Sequence, residues 1–150
     1  MSAPRIRVGA LLRHGDAVLL LRQEKSGRSY WLLPGGGVEE GESLHVALAR
    51  ELSEECGLEG LALEGPIAIA ESIAPAGLRP RKHVVHVIFY ADVSGRSLEG
   101  VASADGAIHG HRMMHAGELA AIDLRPPIHR FLERWRPGDP FVHLGELWVR

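Results

Sequence analysis

The segment from Gly36 to Leu58 constrains this chain more than any other, because it joins a glycine-rich start to acidic residues at helical spacing. Its second half holds Glu51, Glu54 and Glu55, at positions i, i+3 and i+4. On a helix of about 3.6 residues per turn, these three carboxylates share one face. Leu48 extends the same stripe with an apolar side chain. The spacing therefore predicts a helix that docks through its apolar residues and directs carboxylates into a cleft.

Residues that start and stop helices bound this predicted helix. Ser43 is a suitable N-cap, and Gly57 stands where a C′ glycine ends a helix, so we expect a helix from Ser43 to Glu55. The run Gly35-Gly36-Gly37 precedes it and predicts a loop that follows a short strand at Trp31 to Leu33. Such a loop lets backbone groups approach a ligand closely.

Three clustered carboxylates are unfavourable unless a cation compensates them. Like charges at i and i+4 repel each other, and acidic residues near a helix C-terminus also face the negative end of the helix dipole. Arg50 offsets part of this repulsion. A hard divalent cation such as Mg²⁺ prefers oxygen ligands and would offset more of it. The alternative is an ordinary amphipathic helix with a charged flank.

The full pattern of this segment resembles the Nudix box of the Nudix hydrolase superfamily. The matching positions are Gly36, Glu42, Arg50-Glu51-Leu52, Glu54-Glu55 and Gly57-Leu58, and they span 23 residues. The resemblance implies an α/β fold, namely an α/β/α sandwich with a mixed β-sheet between helices. We expect residues 1–150 to form one such domain.

The same resemblance implies roles for individual residues. The implied ligands of Mg²⁺ or Mn²⁺ are Glu51, Glu54, Glu55 and the backbone carbonyl of Gly35. Glu54 either binds the metal ion or orients and deprotonates the attacking water. Arg50 and Glu42 are expected to hold the glutamates in place through charge-assisted hydrogen bonds, the alternative being surface ion pairs.

The general base outside the box stays open. Many family members supply a further glutamate from a loop after the central strand, but this chain has Ala107 and Gly110 at the expected places. Asp105 lies nearby, and His109 or His111 is a further candidate, since a neutral imidazole has a suitable pKa. The alternatives are a solvated histidine-rich loop without a catalytic role, and Glu54 itself as the base.

Arg79 and Arg81 are candidates for substrate binding. They belong to a basic run that also includes Lys82 and His83, directly before the predicted central strand. The run either contacts substrate phosphates at the mouth of the site or forms a solvated end of a loop.

Hydrophobic patterns predict the remaining elements. Strands are predicted at Ile6 to Leu12, Ala17 to Arg22, Leu61 to Ser72, His83 to Val93 and Arg112 to His115. Loops are predicted at Gln23 to Tyr30, Ile73 to Arg81 and Ser94 to Gly110. A helical turn is predicted at Glu118 to Ala121, a last helix from Pro126 to Trp135, and terminal strands at Phe141 to Leu144 and Leu147 to Val149. The central strand is apolar on both faces, which predicts helices on both sides of the sheet.

Composition limits the classes of partner and location. A formal net charge of −2 gives no broad basic surface for nucleic acid or a membrane. The single cysteine, Cys56, excludes an internal disulfide and is expected to be a buried packing residue. No apolar run approaches the roughly 18 residues of a membrane span and no leader segment opens the chain, so we expect a cytoplasmic protein.

The expected function is Mg²⁺-dependent hydrolysis of a nucleoside diphosphate linked to another group. ADP-ribose or a nucleotide sugar is the first choice, because Pro75 lies 17 residues beyond the box, where family members that use ADP-ribose often carry proline. The second choice is an intact or oxidised nucleoside triphosphate or a dinucleoside polyphosphate. A non-catalytic nucleotide-sensing domain is the alternative of another class. The resemblance and the apolar C-terminal tail are also consistent with a homodimer.

Overall fold

The computed structural model describes residues 3–78, 82–98 and 108–148, and the described residues form eight strands and three helices. The strands are β1 Arg5–His14, β2 Ala17–Lys25, β3 Arg28–Leu32, β4 Gly35–Gly37, β5 Glu64–Ile73, β6 His83–Asp92, β7 Ile108–His115 and β8 Val142–Glu146. The helices are α1 Leu44–Cys56, α2 Ala116–Leu119 and α3 His129–Arg134. None of these helices has the length and apolar content needed to cross a membrane.

The strands build one mixed sheet. Its main path runs β3-β2-β1-β6-β5-β8, with β4 paired to β1 and β7 paired to β2. The pairs β1–β6 and β5–β8 are parallel, and the other pairs are antiparallel. The predicted central strand is confirmed, because β6 lies between β1 and β5.

Apolar residues fill both faces of the sheet, as the alternation of side chains along a strand requires. On one face Leu12 and Leu21 pack with Leu48 of α1. On the other face Leu11 and Leu20 share a cluster that includes Phe131 and Leu132 of α3. Leu11 and Leu12 are thus neighbours in sequence but pack into the cores on opposite faces of the sheet. The α/β/α sandwich is confirmed.

Helix α1 begins and ends as its capping residues predict. The Oγ atom of Ser43 accepts a hydrogen bond from the Val46 amide at 3.1 Å. Gly57 adopts the left-handed conformation, with φ 63°, and the Leu58 amide donates to the Leu52 carbonyl at 3.2 Å. Residues within or next to the helix therefore cap both of its ends, without a contribution from the sheet. Cys56 in the last turn is buried, as predicted, and burial raises the pKa of its thiol to about 12.

The predicted loop at Gln23 to Tyr30 is wrong. Strands β2 and β3 continue through most of it and join at Ser26 and Gly27, whose φ angles of 53° and 76° form a two-residue hairpin turn. The polar composition suggested a loop, but these strand ends are exposed and tolerate polar side chains. The pairing of β2 with β3 stabilises them as strands.

Further elements differ from their predicted form, and β7 begins at Ile108, inside the predicted loop Ser94 to Gly110. The glycine run forms the short strand β4 instead of a free loop, because it pairs with β1. The last helix is shorter than predicted, since Pro126 and Pro127 make a turn before α3. One terminal strand, β8, pairs in parallel with β5, and Leu147 continues its contact by donating to the Glu71 carbonyl at 2.6 Å. Val149 lies outside the described residues.

Arg13 links the sheet to α3. Its side chain is buried, and its guanidinium donates to the carbonyls of Leu132 and Trp135, each at 2.6 Å. These carbonyls belong to the last turn of the helix, where intrahelical donors are lacking. Arg13 therefore caps α3 from a neighbouring strand.

We predict that Arg13→Ala lowers the free energy of unfolding by on the order of 3 kcal/mol, because it leaves two buried carbonyls without this donor. Urea denaturation followed by circular dichroism measures the change. Arg130→Ala, at an exposed position of α3, is the control and should change stability by less than about 0.5 kcal/mol. Equal stabilities of the Arg13 and Arg130 variants would contradict the assigned role.

Candidate active site

Helix α1 brings Glu51 and Glu55 to one cavity, which we call the carboxylate cavity. Its walls include both glutamates, the glycines of β4 and Arg7 of β1. Glu55 is buried, and its Oε1 atom accepts a hydrogen bond from the Gly35 amide at 2.8 Å. This bond holds the glycine strand against the helix. The helical spacing read from the sequence thus places two of the predicted carboxylates together.

Glycine is required at two positions beside these carboxylates. A Cβ atom on Gly36 would overlap the Glu51 carboxylate, with Oε2 only 2.6 Å away. A Cβ atom on Gly35 would lie 2.8 Å from the Cα of Gly9, and Gly35 also has a φ of 152°. The missing side chain at Gly36 allows the Glu51 carboxylate to rest directly on β4, and the missing side chain at Gly35 allows β4 to approach β1 closely.

Arg50 connects the acidic residues of the segment. Its guanidinium donates to both carboxylate oxygens of Glu42, at 2.8 and 2.9 Å, and to Glu51 at 2.9 Å. It also donates to the Gly37 carbonyl at 3.1 Å. These hydrogen bonds from Arg50 lower the pKa of Glu42 to about 2. Arg50 and Glu42 thus join the helix to the glycine strand and orient Glu51.

Glu54 is placed differently from the other two box glutamates. Its side chain is 56% exposed, against 16% for Glu51, and it approaches Arg50 at 3.5 Å. Within residues 3–78, 82–98 and 108–148, no three acidic, histidine or cysteine side chains converge as a ready-made metal cluster. The described structure brings Glu51 and Glu55 together and leaves Glu54 on the solvent side of Arg50.

Arg7 supplies positive charge inside the carboxylate cavity. It is partly buried and donates to the Leu33 carbonyl at 3.0 Å. Burial lowers the pKa of its guanidinium, whereas Glu55 and Glu51 oppose this shift. A cation thus lies close to both carboxylates. The sequence pattern did not single out Arg7, although it is the one charged residue within the predicted strand Ile6 to Leu12.

The residues of this cavity fit a divalent metal ion. Glu51 and Glu55 lie one turn apart, and both line the carboxylate cavity together with the glycines of β4. Carboxylate and carbonyl oxygens are the donors that hard divalent cations prefer. Glu51, Glu55 and the glycine backbone are the groups that would hold such an ion.

A second cavity adjoins the first, and we call it the cationic cavity. Its walls include Arg7, Tyr30, Lys82, His86, Arg125 and Trp148, and its empty volume is about 760 Å³. Arg7, Gln23, Leu32 and Val84 line both cavities. The two cavities are therefore adjacent, with carboxylates in one and cationic side chains in the other, and together we call them the cleft.

His86 and Ser72 add neutral polar groups to the cationic cavity. The Ser72 Oγ and His86 Nε2 atoms are hydrogen-bonded at 2.9 Å. Burial, followed by the charge of Arg7, lowers the pKa of His86 to about 4, so its imidazole is neutral at pH 7. The positive charge of the cavity therefore comes from its arginine and lysine side chains.

The candidates outside the box have mixed positions. Arg79, Arg81 and Asp105 lie outside the described residues. His111 lies on β7 opposite Leu21 and is exposed, and it is not among the described residues that line either cavity. The sequence alone does not point to Arg125, because nothing in its local pattern shows that the chain returns to the cleft there.

Comparison with known proteins identifies the family. The sequence model of the NUDIX domain matches residues 3–135. This chain belongs to the Nudix family. It is 46% identical over 138 residues to an RNA pyrophosphohydrolase of Caulobacter vibrioides, covering 89% of this chain and 71% of that protein. It is 29% identical over 97 residues to an ADP-ribose pyrophosphatase of Methanocaldococcus jannaschii, covering 64% of this chain and 55% of that protein.

The fold agrees with this assignment. A Nudix hydrolase structure from Nitrosomonas europaea superposes with a TM-score of 0.69 at 23% identity, covering 99% of this chain and 81% of that one. The chain is therefore a Nudix hydrolase domain of the pyrophosphohydrolase type, a family whose members act on nucleotide-type substrates and generally use divalent metal ions.

We predict that Gly36→Ala lowers kcat roughly a hundredfold, because the added Cβ displaces the Glu51 carboxylate from β4. The effect is measured as the steady-state hydrolysis rate of a nucleotide substrate that the wild type cleaves. The control is Gly117→Ala, where no atom lies within 4 Å of the new Cβ and φ is not positive. Equal activity of the two variants would show that the close approach of Glu51 to Gly36 is not needed.

Proposed function

We propose that this chain is a Mg²⁺-dependent Nudix pyrophosphohydrolase that cleaves the diphosphate bridge of a nucleotide. The supporting observation is the carboxylate cavity, which Glu51 and Glu55 line together with the glycine backbone of β4. A divalent cation, Mg²⁺ or Mn²⁺, would neutralise phosphate oxygens there and acidify a water molecule. Arg7, which also lines this cavity, would bind the bridge through charge-assisted hydrogen bonds.

The proton of the attacking water needs an acceptor. Glu54 is the proposed one, because it lies about one helical turn after Glu51 and is exposed to solvent. Arg50 contacts both Glu54 and Glu51, so it fixes the acceptor relative to the metal site. Asp105 and His111 remain the alternatives for this role.

ADP-ribose or a nucleotide sugar is the first substrate class predicted from the sequence. Its support is Pro75, together with the similarity to the relative named ADP-ribose pyrophosphatase. A second class is the nucleoside triphosphates, including oxidised ones, and the dinucleoside polyphosphates. The cationic cavity favours this class, because positive charge continues beyond the place of the bridge. RNA with a 5′-polyphosphate end joins the candidates through the relative named RNA pyrophosphohydrolase.

A non-catalytic nucleotide sensor is the rival of another class. Sensor domains of this family commonly lose box glutamates, whereas this chain keeps Glu51, Glu54 and Glu55. Retention of all three favours an enzyme. The homodimer and the cytoplasmic location stay predictions from the sequence.

A substrate panel tests the proposal. The panel contains ADP-ribose, a nucleotide sugar, ATP, 8-oxo-dGTP, diadenosine tetraphosphate and a 5′-triphosphorylated RNA, each with Mg²⁺ and with EDTA. Chromatography identifies the products, and mass spectrometry after reaction in H₂¹⁸O shows which phosphorus is attacked. We expect Mg²⁺-dependent turnover of at least one compound. Binding without any turnover would favour the sensor.

We predict that Glu54→Gln and Glu55→Gln each lower kcat by about 10²–10⁴-fold without unfolding the protein. Loss of a proton acceptor or of a metal-binding carboxylate is the physical reason. Glu40→Gln is the matched control, because Glu40 is exposed in the same segment and lies at no defined position of the box. Near-normal rates in both variants would contradict the assignment.

A further inference from the structure

The cationic side chains of the cleft extend beyond the place proposed for the diphosphate bridge. Arg7 faces the carboxylates, whereas Lys82 and Arg125 line only the cationic cavity. Among the residues the structure describes, no carboxylate lines that cavity. The two cavities share four lining residues and are therefore adjacent, so a substrate bound at Glu51 and Glu55 has the cationic cavity beside it.

The charged groups that act on Lys82 are themselves cations. Lys25 is the largest cause that lowers the pKa of Lys82, followed by burial, and Arg125 and Arg5 act in the same direction. Cations brought together in this way repel one another, and a bound anion relieves the repulsion. The cluster is therefore a binding surface for an anion.

Arg125 is held in a fixed position. Its guanidinium donates to both oxygens of Asp123, at 3.1 and 3.0 Å, and its Cζ atom lies 4.6 Å from the centre of the Tyr30 ring. The Asp123 carboxylate compensates part of its charge, and the ring supports its planar face. A positioned guanidinium and a flexible ammonium group together suit phosphate oxygens.

We infer that the cationic cavity binds a phosphate group of the substrate that lies outside the diphosphate bridge being cut, through Lys82 and Arg125. The inference rests on the proposed pyrophosphohydrolase function and specifies its substrate class. ADP-ribose has only the two phosphates of its bridge and leaves this cavity without an anion. A triphosphate or polyphosphate chain, or a ribose that carries its own phosphate, places a further anion there.

Titration of the metal-free protein with inorganic triphosphate tests the binding surface without catalysis. Isothermal titration calorimetry in EDTA at low salt should detect binding to the wild type. Lys82→Gln and Arg125→Gln should each weaken it roughly tenfold to a hundredfold, the loss expected for one hydrogen bond between charged groups. Arg125→Lys should recover part of the affinity, and Arg130→Gln, at an exposed position of α3, should match the wild type.

Two matched substrate pairs then identify the source of the phosphate. ATP and ADP differ by one phosphate along the chain, whereas coenzyme A and dephospho-coenzyme A differ by one phosphate on the ribose. In one of the two pairs, we expect the compound with the additional phosphate to have the higher kcat/KM. Lys82→Gln should lower the kcat/KM of that compound about 10–100-fold. The pair that responds shows which phosphate the cavity binds.

The outcomes separate the two proposals. Absence of triphosphate binding, equal weakening by Arg130→Gln, or no preference within either pair would overturn the cavity assignment. Turnover of ADP-ribose alone would also overturn it while keeping the pyrophosphohydrolase function. Absence of Mg²⁺-dependent turnover of every compound would refute the proposed function, and the titration would still decide whether the cavity binds phosphate.

Discussion

The close approach of the Glu51 carboxylate to the backbone of β4 is the constraint on which the site depends. Glu51 and Glu55 lie one helical turn apart, and both approach β4. Any side chain at Gly36 would occupy the space that the Glu51 carboxylate fills. Glu55 strengthens the contact between α1 and β4, because its carboxylate accepts a hydrogen bond from the Gly35 amide. The helix and the glycine strand therefore position each other.

Opposite charges make this arrangement possible. Arg50 binds Glu42 and Glu51 from one side, and Arg7 approaches Glu51 and Glu55 from the sheet. Without these cations, partly buried acidic groups at this spacing would repel each other strongly. The protein thus holds its acidic residues close together while leaving their cavity open to a ligand.

The sheet places a second group of charges beside the first. Lys82 directly precedes β6, whereas Arg125 lies between α2 and α3. Both nevertheless line one cavity next to the carboxylates. One end of the cleft suits a metal ion, and the other suits an anion. Such polarity would orient a phosphate-rich substrate along the cleft and would distinguish it from one whose only phosphates form the bridge.

The sequence by itself determined α1, because its caps, apolar stripe and glutamate spacing are all local properties of consecutive residues. It also determined the central strand β6, whose apolar residues on both faces require cover on both sides. Gln23 to Tyr30 was misjudged as a loop, since exposed strand ends have polar side chains and only pairing between β2 and β3 stabilises them. Only the tertiary structure decided that Arg7, Lys82 and Arg125 share one cleft, because contacts between distant residues depend on how the sheet is ordered. The same holds for the requirement for glycine at position 36, which exists only because α1 packs against β4.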